Sequence, residues 1–172
     1  MIPSLFSFAI VRAFDIETPF ADTKEEFLTQ QQAFVNEVQQ ASDFLSDIVQ
    51  HSPSIKEKNR QRAFDALISF AHDASLEALI STGIIELLEV KTNKHELKEA
   101  FFSMPPVSDT INPALIEYMN LYKIPSNSRR WFEYELFIGY PFFMAGRNKL
   151  PDDSIKFSPY PLHPILRWLY YR

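Results

Sequence analysis

Only three glycines occur in 172 residues, at positions 83, 139 and 146, and that scarcity narrows the possible folds more than any other feature. Hairpin turns and phosphate-cradling loops need backbone with positive φ, which glycine supplies without a steric penalty. A many-stranded sheet, a nucleotide-binding loop and a nucleophile elbow are therefore hard to write into this chain. An all-α fold is the expectation that remains.

The length suits a single domain, residues 1–172, with a sizeable core. Hydrophobic residues make up 46 % and charged residues 23 %, the balance of a chain that folds and not of a disordered one. The content is uneven along the chain. Nine of the 12 prolines and 16 of the 25 aromatic residues lie beyond residue 100, which divides the domain into a regular helical part, 1–104, and a proline- and aromatic-rich part, 105–172. Charge divides the same way: residues 1–100 carry a net −7 and residues 101–172 a net +2, for −5 overall. An acidic front half argues against nucleic acid as the partner, because phosphate affinity comes from Lys and Arg. Without cysteine there are no disulfides, thiolate metal sites or cysteine nucleophiles, which fits a reducing, cytoplasmic setting. The opening MIPSLFSFAIVRAF is apolar but lacks a basic leader, and Arg12 interrupts it. It is too short to span a bilayer and reads as a first core helix, with an interfacial anchor as the alternative.

Local signals place the helices. Thr23 and Glu26 form a capping-box pattern, and Phe27, Phe34, Val38, Ala41, Leu45 and Ile48 follow as a seam with a period near 3.5. One helix from Thr23 to Gln50, roughly 40 Å long, is expected. Pro53 ends it, and Ser52 or Ser54 is expected to cap the next, whose apolar stripe is Phe64, Leu67, Ile68 and Ala71. A short helix around Leu76, Leu79 and Ile80 then turns at Gly83 into Ile84–Val90, and Asn93 with Glu96 caps a helix carrying Leu97, Ala100, Phe101 and Met104.

The succession AFDALISFAHDASLEALISTGIIELLEV, followed by HELKEAFFSM, resembles one unit of an armadillo or HEAT-type helical repeat, best over residues 62–104. DFLSDIV at 43–49 is a fainter echo of IIELLEV at 84–90. The resemblance implies helices stacked in a right-handed layer, and it implies protein binding. The expected fold is a compact all-α domain of about six to eight helices with this layering and the aromatic, proline-rich segment packed on it. In that segment Ser128–Phe137 reads as a buried, largely aromatic helix, residues 146–164 as an extended loop, and HPILRWLYYR as a short amphipathic helix.

Reactive constellations are absent from the pattern: no catalytic residue, metal ligand set or cofactor-binding motif stands out. His95 and Glu99 share a helix face at i, i+4, but a third ligand would have to come from elsewhere. His51 and His72-Asp73 sit at helix ends, where they complement the dipole, and His163 lies between prolines. Glu133 and Glu135 are expected to pair with Arg129 and Arg130. Arginine beside aromatic residues is also the composition of interaction hot spots. The candidate interaction surface is therefore Arg129, Arg130 and Trp131, together with Trp168, Tyr170 and Tyr171 of the last segment. The leading expectation is a non-enzymatic protein–protein interaction module, a small scaffold, adaptor or inhibitor with a protein partner. A homodimer through the C-terminal segment would use the same residues. The second expectation is a helical enzyme or small-ligand binder with an aromatic pocket of Trp131, Phe132, Phe137, Tyr140 and Phe142, and the third is peripheral membrane association, an integral membrane protein being argued against.

Overall fold

The computed structural model describes residues 1–4, 7–8, 11–12, 21–107 and 129–138. Among them are seven α-helices, one short 3-10 turn and no strand, so the chain is all-α with its helices packed together. The expected helix in the last segment and the expected loop at 146–164 lie outside the described residues.

Helix α1 (Lys24–Glu37) begins as the capping box dictates. The Thr23 hydroxyl accepts from the Glu26 amide at 3.2 Å, and the Glu26 carboxylate accepts from the amides of Thr23 and Asp22 at 3.2 and 2.9 Å. The single long helix expected from the seam is instead two, α1 and α2 (Gln39–His51), meeting at Val38 with φ −93° and ψ 11°. Ser42 supplies the reason. Its hydroxyl and its amide both bond the Val38 carbonyl, at 3.0 and 2.9 Å, and such back-bonding bends a helix. Phe27, Phe34, Val38, Ala41 and Leu45 are buried as expected, but Val49 takes the next core position and Ile48 is only partly buried, because a 3.6-residue period drifts away from a 3.5-residue seam.

After Pro53, a 3-10 turn at Glu57–Asn59 leads into α3 (Arg60–Ala74). Neither serine caps this helix. Ser52 Oγ donates to the Leu88 carbonyl at 2.6 Å, and Ser54 Oγ donates to the Val90 carbonyl while accepting from the Thr92 amide at 2.7 Å. The two hydroxyls close the C-terminal end of a different helix, whose last carbonyls have no partner within the helix.

Helix α3 is the centre of the molecule. Every residue from Ala63 to Ala71 is buried, because α2, α4 (Leu76–Ser81) and α7 (Arg129–Phe137) pack around it. Phe70 meets Phe101 at 6.0 Å, and Phe101 meets Tyr134 and Phe137 at 5.8 and 5.1 Å. These rings join α3 and α7 to α6 (Lys94–Phe102). Phe8, from the opening segment, lies edge-on to Phe27 and tilted against Phe34, so the apolar N-terminus contributes to the core. Two residues with positive φ turn the chain between short helices. Ser75, at 87°, separates α3 from α4, and Gly83, at 74°, separates α4 from α5 (Ile84–Glu89). Asn93 then caps α6, its Oδ1 accepting from the amides of His95 and Glu96 at 2.9 and 3.0 Å. No helix among the described residues is long and apolar enough to cross a membrane.

Candidate functional site

Within the buried run of α3, Ala63–Ala71, only Asp65 and Ser69 are polar. Gln61, Asp65, Ser69 and Asp73 recur every fourth residue, a polar ridge running along the helix. Asp65 and Ser69 are fully buried, so each needs a partner from another element. At the N-terminal end that partner is the opening segment. The Ser4 amide donates to Asp65 Oδ1 at 2.7 Å and the Ser4 hydroxyl to Oδ2, while Gln61 Nε2 donates to both Asp65 Oδ1 and the Ile2 carbonyl. Burial outweighs these hydrogen bonds and pushes the Asp65 carboxyl up to about 6.

At the other end the ridge meets α7. Arg129 and Arg130 are adjacent in sequence, and both turn inward onto the same two carboxylates. Arg129 Nη1 lies 3.1 Å from Asp73 Oδ1 and its Nε 3.0 Å from Glu133 Oε1. Arg130 Nη2 and Nη1 lie 2.6 Å from Asp73 Oδ2 and Glu133 Oε2. Each guanidinium therefore spans both acids, and each acid spans both guanidiniums. Helix geometry allows this because Glu133 is i+4 from Arg129 and i+3 from Arg130. Ser69 Oγ adds a bond to Glu133 Oε1 at 2.7 Å, and the Ser69 carbonyl takes Arg129 Nη2 at 2.9 Å. Arg130 also donates to the Met104 carbonyl and stacks 3.6 Å above the Phe70 ring, while Asp73 accepts from the Val107 amide. Two positive and two negative charges, all with side chains 2 % exposed or less, meet in one buried cluster.

Charge-assisted bonds of this kind set the angle and register of two helices, since partial pairing would strand a charge in the interior. The cluster works as an internal strut joining α3, α7 and the 104–107 segment.

The expected interaction residues thus separate. Arg129 and Arg130 direct their charged groups to the interior, in the pairing anticipated for Glu133, and Trp131 is half-buried against the core. Trp168, Tyr170 and Tyr171 lie outside the described residues. His72 stacks on Phe34 and sits 3.6 Å from Glu37, while His51 caps its own helix end through the Asp47 carbonyl and carboxylate. His95 and Glu99 form an exposed pair at 3.3 Å, and among the described residues no three His, Asp or Glu side chains converge to hold a metal ion. The part of the cluster that helix-end reasoning missed is Asp73. Its signal was the four-residue spacing from Asp65 through Ser69, which places a polar row along the central helix.

No protein-family model, curated protein or solved structure matches this chain at a significant level. The site is therefore judged on its own geometry.

Among the described residues a concavity is open to solvent. Where the 3-10 turn and the start of α3 meet the start of α6 and the end of α7, a groove of about 490 Å³ carries Lys56, Lys58, Arg62 and Lys94 on its lining, with Leu97 and Phe137 beneath. Lys56, Lys58 and Lys94 are exposed, whereas Leu97 and Phe137 belong to the core. Asn59 Nδ2 donates to the Ile138 carbonyl at 3.2 Å and ties two of its walls together.

Proposed function

We propose that this chain is a non-enzymatic protein–protein interaction module, a small scaffold, adaptor or inhibitor, and that its partner docks in the groove between α3, α6 and α7. A single observation carries the reading: a groove with an apolar floor and a cationic rim opens on a helical frame that is braced beside it by a buried ionic strut. Rigid concavities on stacked helices suit a segment of another protein. The packed, turn-linked helices from α3 to α6 are compatible with a helical repeat, and a unit of the armadillo or HEAT kind in a right-handed layer is the reading adopted for them. The same reading places the protein in a reducing, cytoplasmic setting and leaves the C-terminal segment, with Trp168, Tyr170 and Tyr171, as a second contact or a homodimer seam.

Of the aromatic residues that would line a small-ligand pocket, Phe137 borders the groove with its ring packed on Phe101, and Trp131 does not line it. Tyr140, Phe142 and the Phe132 side chain lie outside what the structure describes. The groove itself therefore favours the interaction reading.

A photo-crosslinking amino acid placed at Lys58 in the full chain tests this, with the same group at Gln40, exposed on α2, as control. Lys58 should give a discrete adduct with a protein from cell extract, displaced by excess unlabelled chain. The reading fails if Lys58 gives none, or if Gln40 gives the same adduct.

A further inference from the structure

We propose that residues 1–4 form a strap latched to α3 by a proton on Asp65, tight while that carboxyl is neutral and loosened when it ionises. The strap is held on two helices. Gln61 Nε2 donates to the Ile2 carbonyl at 2.9 Å, the Ser4 amide and hydroxyl donate to Asp65, and the Met1 ammonium donates to Ser46 of α2. Pro3, between the Gln61 and Asp65 contacts, is buried. Ser4 also leads the strap into the core, because its carbonyl accepts from the Ser7 hydroxyl and the Phe8 amide at 3.2 and 3.3 Å. Asp65 is the titratable side chain among these contacts, so it is where pH can act on the strap.

The donors around Asp65 fit both charge states of the carboxyl, at different cost. Oδ1 faces two N–H groups, the Ser4 amide at 2.7 Å and Gln61 Nε2 at 3.1 Å, and must stay an acceptor. Oδ2 faces the Ser4 hydroxyl, which accepts as readily as it donates. A proton on Oδ2 therefore reverses that bond and leaves the other two in place. The ionised form keeps the same partners but puts a full charge, fully buried, among neutral donors. Charges on the surrounding elements are engaged or turned elsewhere. Asp43 and Asp47 of α2 are exposed, the Met1 ammonium goes to Ser46, and Arg129 of α7 pairs with Asp73 and Glu133. Arg12 of the opening segment and Arg62 of α3 have partners of their own, and among the described residues Asp65 bonds only Ser4 and Gln61. Burial accordingly lifts the carboxyl from 3.8 to about 6. Opening the strap returns Asp65 to water and to its ordinary value. The closed strap thus binds the proton more tightly than the open one, and by linkage acidification closes it. Opening should rise about tenfold per pH unit between roughly pH 4 and 6, about a hundredfold in all, and level off above that.

The test is amide hydrogen exchange of the full chain from about pH 4 to about pH 8, each rate divided by the intrinsic rate of that residue at that pH. The Ser4 amide reports the strap. Ile68, fully buried in the middle of α3, reports global opening, and the Glu96 amide, held at 3.0 Å by the non-titrating Asn93 side chain, is the local control. Ser4 protection should fall about a hundredfold between roughly pH 4 and 6 and then stay flat, while Glu96 does not follow and Ile68 remains the more protected throughout. In Asp65→Asn, which has no proton to lose, Ser4 protection should be independent of pH. An NMR titration of the Asp65 carboxyl needs no substitution and should have its midpoint near 6 in the wild type. A midpoint at the ordinary carboxylate value would overturn the latch. So would Ser4 protection that rises with pH, that keeps its pH dependence in Asp65→Asn, or that equals the protection of Ile68 at every pH.

Discussion

Glu133→Leu is the sharpest test of the internal strut. The Glu133 carboxylate accepts from Arg129 Nε at 3.0 Å, from Arg130 Nη1 at 2.6 Å and from Ser69 Oγ at 2.7 Å, and it is fully buried. Leucine is close in size, so little cavity is made, but two guanidiniums are left facing a single carboxylate. One positive charge then loses its buried counter-charge, and both guanidiniums are 2 % exposed or less. Breaking a buried pair in this way costs about 3–5 kcal/mol. Against a total stability of roughly 5–15 kcal/mol that is about a fifth of the whole or more. At a urea dependence of about 2 kcal/mol/M the unfolding midpoint should fall by roughly 2 M. The thermal midpoint should fall by about 10 °C, given 2–4 °C per kcal/mol at this chain length. The double variant Arg129→Leu/Glu133→Leu removes one charge of each sign and leaves the Arg130–Asp73 pair, 2.6 Å apart, intact. It should recover most of the loss, with a coupling of about 2 kcal/mol or more in a double-mutant cycle read by urea titration. A single-variant loss under about 1 kcal/mol, or a double variant whose loss is the sum of the two singles, would refute the strut.

Two smaller perturbations test other parts of the frame. The folded-state value of Asp65 is raised from 3.8 to about 6 by burial, so its ionisation opposes folding. The destabilisation is absent below the unfolded value and complete above the folded one, reaching on the order of 3 kcal/mol there. Asp65→Asn keeps an acceptor for the Ser4 amide and should be more stable than the wild type at pH 8. That advantage should shrink as pH falls from about 6 towards 4, and an advantage independent of pH would contradict the assignment. Gly83→Ala places a Cβ with no neighbour closer than 4.0 Å but at φ +74°, so backbone strain alone should cost about 1 kcal/mol in urea unfolding. No measurable loss would mean that the turn relaxes to another conformation.

Much of the secondary structure was legible because its signals are local. Thr23 with Glu26, Asn93 with Glu96, and Gly83 each act within one helical turn, and each does in the structure what its residue type demands. The misreadings share a cause. Ser52 and Ser54 were legible as hydroxyls near a helix start, but they bond carbonyls more than thirty residues away. Val38 lay within an unbroken seam, and the side chain that bends it, Ser42, looked like any serine on a helix. Arg129 and Arg130 had the composition of a contact surface, and composition does not say which way a guanidinium points.

The sequence by itself determined that this protein is helical. Three glycines, a capped succession of apolar stripes and a central segment apolar on almost every side leave few other ways to satisfy the backbone. It determined the two ends of the network as well, because Arg129 and Glu133 are one helical turn apart wherever they lie. Only the tertiary structure decided that this pair would meet Ser69 and Asp73, some sixty residues earlier, and become interior. It also decided that lysines from the 3-10 turn and from α6 would face one groove. Intrahelical bonds reach four residues and can be read along the chain. The cost of an unpaired charge depends on what surrounds it, and that is settled only when the helices pack.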